Sequence, residues 1–314
     1  MKRKIIGSIT LVCLLLFTLN TSALANVDNN LENYVENEPV FGLTKITEKD
    51  IYLNWLNANN EELMAQGYTL KQVQEIRNID LENKFQELGK LSDNDLASRG
   101  YTKEDISIIQ QYNGEPIYEN SEILNVLASN ELSGWYTTAN GYSCSTKQIG
   151  MRYNWRWDRA PIVLSTDVAV VAWKAIDKNL GFPDASVLST NSASSSPTRA
   201  YLRYANPSTE VIEDYENVSV DIRGIDNTAV VQFPMETSSG LYVKSGYLQL
   251  VLTASNFEFN SALFGGNYGH TIISFTGDFT YDVKSDHSVT IGPVSKVSTT
   301  FADEIRMYTD GSWK

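Results

Sequence analysis

The chain is poor in the side chains that most enzymes use. It has two cysteines and two histidines in 314 residues. Cys13 lies in an apolar leader, so the exported protein is expected to keep Cys144 alone and to have no intramolecular disulfide. A lone cysteine of this kind reads as a small buried apolar side chain. A Ser-His-Asp triad has only His270 and His287 to draw on, and no serine stands in a G-x-S-x-G elbow. No local signature makes Cys144 a thiol nucleophile. There is no H-E-x-x-H, and two histidines with one cysteine serve zinc poorly. No carboxylate pair is marked as that of a glycosidase, a class in which spacing along the sequence says little about spacing in the fold. The sequence therefore nominates no catalytic and no metal residue. An extracellular hydrolase remains the third reading.

Basic charge is also scarce. Lys and Arg number 25 against 38 Asp and Glu, a net of −13. Such a protein is repelled by polyphosphate, which excludes nucleic acid as a natural partner. Long apolar runs are missing beyond the leader. The stretch from Ile162 to Ile176 is short and is broken by Asp167 and Lys174. The acidic run of Glu210, Glu213, Asp214, Glu216, Asp221 and Asp226 offers oxygen ligands for calcium, but without loop-motif spacing. No cofactor is expected; calcium would be the exception.

What is present begins with an export signal. Lys2, Arg3 and Lys4 precede an apolar run from Ile5 to Phe17, and Ala23-Leu24-Ala25 supplies an A-x-A cleavage site. Cleavage after Ala25 leaves a secreted protein that starts at Asn26 and is more acidic by three charges.

The composition then divides the sequence in two. Residues 26–128 read as an acidic helical domain with a repeat: Leu63-Met-Ala-Gln-Gly67-Tyr68-Thr69 returns as Leu96-Ala-Ser-Arg-Gly100-Tyr101-Thr102. Gly67 and Gly100 fit the left-handed position that ends a helix. Thr69 and Thr102 fit the N-cap of the next, with Gln72 and Asp105 three residues on as capping-box partners. Tyr68 and Tyr101 can staple onto Val73 and Ile106. This predicts helix-turn-helix units over about 62–79 and 95–112, packed as a small bundle.

Residues 129–314 read as β-rich. Met151, Tyr153, Trp155 and Trp157 alternate with Arg152, Asn154, Arg156 and Asp158, a period of two. Val168 to Trp173 is a continuous apolar run, as in a strand buried on both faces. Hairpins are expected around Gly224–Asn227 and Lys284–Asp286. The glycines of Phe264-Gly-Gly-Asn-Tyr-Gly-His270 suggest a bend or a close backbone approach. The fold class is then α+β: a helical bundle followed by a mainly antiparallel sandwich or barrel-like domain.

Two features suggest function. Trp135, Tyr136 and Tyr142, near the domain boundary, are the candidate binding aromatics, and an exposed patch is expected at Trp135–Tyr136. Tyr153, Trp155 and Trp157 are assigned to the core. The segment 270–291 alternates Ile273, Phe275, Phe279, Tyr281 and Val283 with Ser, Thr and Asp, and returns with Val289 and Ile291 opposite Ser288 and Thr290. In that pattern it resembles the inserting hairpins of secreted β-pore-forming toxins, which implies a membrane as target. The leading expectation is nevertheless a secreted, non-enzymatic binding protein with a cell-surface protein or glycan as partner. The pore-forming reading comes second.

Overall fold

The computed structural model describes residues 41–65, 68–162, 166–188, 197–206, 212–223, 227–238, 240–270, 280–283, 289–292, 295–297 and 305–314. Seven helices fall within them: α1 Glu48–Asn57, α2 Asn60–Ala65, α3 Leu70–Arg77, α4 Leu81–Leu88, α5 Asp93–Ser98, α6 Lys103–Gln111 and α7 Leu124–Ala128. The strands are β1 Phe41–Thr47, β2 Glu131–Thr138, β3 Gln148–Trp157, β4 Thr166–Asp177, β5 Ser186–Val187, β6 Arg199–Ala205, β7 Ile212–Val218 and β8 Asp221–Arg223. They continue with β9 Thr228–Pro234, β10 Tyr242–Thr253, β11 Phe259–His270, β12 Thr280–Val283, β13 Val289–Gly292, β14 Ser295–Val297 and β15 Ile305–Tyr308.

The strands form mostly antiparallel sheets. One runs β1-β2-β3-β10-β6-β7, with β5 also on β10; the other runs β14-β11-β4-β9-β8, with β15 also on β11. Neither sheet closes on itself, so the barrel alternative is not adopted. The hairpin expected around Gly224–Asn227 is present as β8 and β9, with Arg223 opposite Thr228. The residues before Asp221 instead form β7, which crosses to the first sheet and pairs with β6.

The sheets meet through aromatic side chains. Trp155 of β3 lies parallel to Phe233 of β9, ring centres 5.6 Å apart, and at the same distance from Tyr268 of β11. Tyr136 Oη accepts the backbone N–H of Gly266 across the same layer. Gly266 is a glycine for that reason: a Cβ there would stand 2.7 Å from Tyr136 Oη and 2.8 Å from the Tyr153 ring. The expected close backbone approach in the glycine cluster is thus real.

Met151, Tyr153, Trp155 and Trp157 are wholly buried, as their alternation predicts. Arg152 departs from the pattern: the alternation places it outside, and it is buried. Its guanidinium lies 4.3 Å over the Tyr247 ring and its Nε donates to Gln249 Oε1 at 2.8 Å, so neighbours on β10 cover it on the outer face of β3. Val168 to Val170 on β4 are wholly buried, as the unbroken apolar run implies.

The helical segment keeps its repeat in the hydrogen bonds. Tyr68 N–H donates to Leu63 O, and Tyr101 N–H to Leu96 O, each at 3.2 Å. Val73 to Thr69 and Ile106 to Thr102 match as well, each at 2.9 Å. Gly100 has φ +89°, the left-handed turn its position requires. Thr102 and Asp105 form a complete capping box. Gly67 and the side chain of Gln72, their counterparts in the first unit, lie outside the described residues.

The two units face different neighbours. Leu63, Tyr68, Val73 and Ile76 belong to the core of the sheets, whereas Leu96, Tyr101, Ile106 and Ile109 pack with Leu81, Phe85 and Leu124. One element runs against the sequence reading. β1 precedes α1 in a segment read as helical, and it pairs with β2 through Thr44–Gly134 and Ile46–Leu132.

Candidate functional site

A cleft of about 330 Å³ opens where α4 and the α5–α6 turn meet the segment that leaves β3. Its lining is Lys84, Glu87, Leu88, Leu91, Arg99 and Tyr101 from the helical side, with Ala160, Pro161, Ile162 and Glu236 opposite. The volume lies in the range of small-molecule and peptide-side-chain pockets.

Local sequence sets each wall. Asp80 caps α4 by accepting the Asn83 N–H at 2.8 Å. The helix ends at Leu88 and Gly89, so the backbone turns and places Leu91 beside it, held by Gln110 Nε2 on Leu91 O at 3.0 Å. Gly100 then turns Tyr101 inward from Arg99.

The opposite wall is fixed by a buried polar cluster. Arg159 is 2 % exposed. Its Nη1 lies 3.3 Å from Asp105 Oδ2 and donates to Ser129 Oγ at 2.9 Å; its Nη2 donates to Val126 O. The guanidinium covers the Tyr101 ring at 4.3 Å. Burial pushes the Tyr101 hydroxyl up to about 12, with the Arg159 charge pulling the other way. Asn130 links the cluster onward: its Oδ1 accepts Arg159 N–H, and its Nδ2 donates to Glu48 Oε2 at 3.0 Å. Glu48 Oε1 in turn accepts the Ile162 N–H at 2.6 Å. The loop 159–162 is therefore held at both ends by buried carboxylates.

A second polar group sits deeper. His270 Nδ1 lies 2.9 Å from Asp167 Oδ1 and 3.1 Å from Oδ2, and Tyr268 Oη also donates to Asp167. Trp157 Nε1 donates to Tyr268 Oη at 3.3 Å. His270 is 1 % exposed and borders a cavity of about 10 Å³ with Glu48, Ile51 and Trp55. That is room for about one water molecule. Cys144 is half-buried, and burial pushes its thiol up, which weakens it as a nucleophile.

The expected aromatic patch does not form. Trp135 is 6 % exposed and Tyr136 not at all, because β1 and β3 flank β2 and the second sheet covers Tyr136; Tyr142 is half-buried. Ile273, Phe275 and Phe279 lie outside the described residues. The backbones of Tyr281, Val283, Val289 and Ile291 do form a ladder, Tyr281 opposite Ile291 and Val283 opposite Val289. Their side chains lie outside the described residues, as do those of the acidic run except Asp221. Among the described residues, no group of three or more His, Cys, Asp or Glu is placed to hold a metal.

No sequence pattern singles out the cleft residues, apart from Tyr101 as a staple and Ile162 as the start of an apolar stretch. They come from segments far apart in the sequence, so no local signal joins them.

No family model matches the protein, and no curated protein matches it. Among solved structures, one titled "AvmM Catalyzes Macrocyclization in Alchivemycin A Biosynthesis" is similar to it at a TM-score of 0.23 and 10 % identity, over 50 % of this chain and 82 % of that one.

Proposed function

We propose that this is an exported binding protein, released after cleavage behind Ala25, that takes a segment of a cell-surface protein into the cleft between α4 and the 159–162 loop. The observation that carries this reading is the composition of the cleft. Leu88, Leu91, Pro161 and Ile162 give it apolar walls, and Lys84, Arg99, Glu87 and Glu236 give it both signs of charge. An apolar floor with paired donors and acceptors matches peptide chemistry. A glycan would call for open aromatic faces. Tyr101, the one aromatic among the described residues of the lining, has Arg159 over its ring. On this reading the helical segment supplies one wall of the cleft, and the segment after β3 with Glu236 supplies the other.

A displayed random-peptide selection against the full exported protein tests the reading. Selected peptides should bind the wild type and lose at least about tenfold, near 1.4 kcal/mol, against Leu91→Asp. Equal binding to both, or no enriched sequence, would overturn it.

A second reading, membrane insertion by the 270–291 hairpin, is favoured by one observation. Among the described residues, β12 and β13 hydrogen-bond only to each other, as a separate two-stranded sheet. Dye release from liposomes by the wild type, abolished in Tyr281→Asp with Ile291→Asp, would support it. No release under any lipid composition would remove it.

A further inference from the structure

Arg99 gives the cleft its chemical direction. Its Nε is buried and has no hydrogen-bond partner among the described residues. Neither Arg99 nor Lys84 takes part in any ion pair among the described residues. Two cations, Lys84 and Arg99, and two carboxylates, Glu87 and Glu236, line the cleft, all outside any ion pair among the described residues. That Nε is closed to a water-sized atom, so an acceptor in the cleft meets the half-exposed guanidinium at its Nη groups. The two Nη groups of arginine each point one N–H outward, at the spacing of the two oxygens of a carboxylate. The anions of the lining, Glu87 and Glu236, disfavour a multiply charged ligand such as phosphate. Leu88 and Ile162 stand in the same lining as an apolar seat.

We propose that Arg99 receives a carboxylate from the bound peptide, with an apolar side chain next to that carboxylate seated against Leu88 and Ile162. The inference rests on the cleft being the binding site. The carboxylate has two sources, the free C-terminus of a peptide or an Asp or Glu side chain.

Calorimetric titration of the full-length protein with four probes separates them: acetyl-Ala-Ala-Leu with a free carboxylate, the same peptide as its C-terminal amide, acetyl-Ala-Glu-Leu-amide, and inorganic phosphate. One or both carboxylate peptides should bind at least about tenfold more tightly than acetyl-Ala-Ala-Leu-amide. Whichever binds more tightly names the source. Arg99→Gln should erase that preference, and Arg99→Lys should restore only part of it, since an ammonium has no fork. The Arg99 guanidinium Nη–H resonances, followed with labelled arginine, should shift on adding the preferred probe and stay fixed with the amide; this reading needs no variant. Equal binding of acid and amide, a preference that survives Arg99→Gln, stronger binding of phosphate, or no binding of either carboxylate peptide would each overturn the proposal. Loss of all peptide binding in Leu88→Asp alongside equal acid and amide affinities would sink the role of Arg99 and leave the cleft standing.

Discussion

Arg159 Nη1 and Asp105 Oδ2 lie 3.3 Å apart, with 3 % and 4 % of their side chains exposed. This pair joins the segment after β3 to the first turn of α6. Ser129 Oγ ties the two together, accepting from Arg159 and donating to Asp105 Oδ1 at 2.8 Å. A pair this buried is expensive to desolvate, so its worth shows when one partner is removed.

Asp105→Ala is therefore expected to cost about 3–5 kcal/mol, because it leaves the Arg159 charge uncompensated and also removes a cap. The double variant Asp105→Leu with Arg159→Met should be less destabilised than the single one. Urea unfolding measures both. A loss below about 1 kcal/mol in Asp105→Ala would mean that the pair does not hold the two parts together.

Two glycines are predicted to be intolerant for lack of space. At Gly246 a Cβ would meet the Trp155 ring at 2.6 Å and the backbone oxygen of Tyr201 at 2.7 Å. At Gly266 it would meet Tyr136 Oη, the acceptor for its own N–H. Either alanine variant should lose about 1–3 kcal/mol from overpacking. An unchanged melting temperature would show, for Gly266, that the two sheets do not pack this closely and, for Gly246, that β10 does not lie this close to its neighbours β3 and β6.

Alkali should unfold the protein. Burial raises the hydroxyl pKa of Tyr68, Tyr101, Tyr136, Tyr242 and Tyr268, to about 12 for Tyr101 and well above the usual value for Tyr136 and Tyr268. Unfolded tyrosines lose their proton near about 10, so above that pH the folded state binds more protons than the unfolded one. The stability these groups contribute is complete below about pH 10 and is lost as pH climbs through their folded values. Ultraviolet tyrosinate absorbance followed with circular dichroism should show the buried group ionising together with loss of structure. Ionisation of every tyrosine near its ordinary value with the fold intact would contradict this burial.

Local signals in the sequence are legible where one segment decides its own structure. The Thr102–Asp105 box, the left-handed Gly100 and the inward face of Met151 to Trp157 follow from short-range rules and are found as expected. What could not be read depends on distant pairing. Whether Tyr136 is exposed is decided by β11, whose Gly266 N–H reaches its hydroxyl from 130 residues away. Phe41–Thr47 alternates too weakly to announce a strand, and only pairing with β2 makes it one. The cleft is the extreme case, since Arg99 and Ile162 are brought together by Glu48, Asn130 and Arg159, none of which looks exceptional in the sequence.

The most direct test of the account is methyl nuclear magnetic resonance of the full-length protein, labelled at leucine and isoleucine, titrated with a peptide from the selection. Saturable shifts are expected at Leu88, Leu91 and Ile162 and none at the exposed Leu43 or Leu180. Shifts centred on Leu43 or Leu180, with the three cleft methyls unmoved, would contradict it.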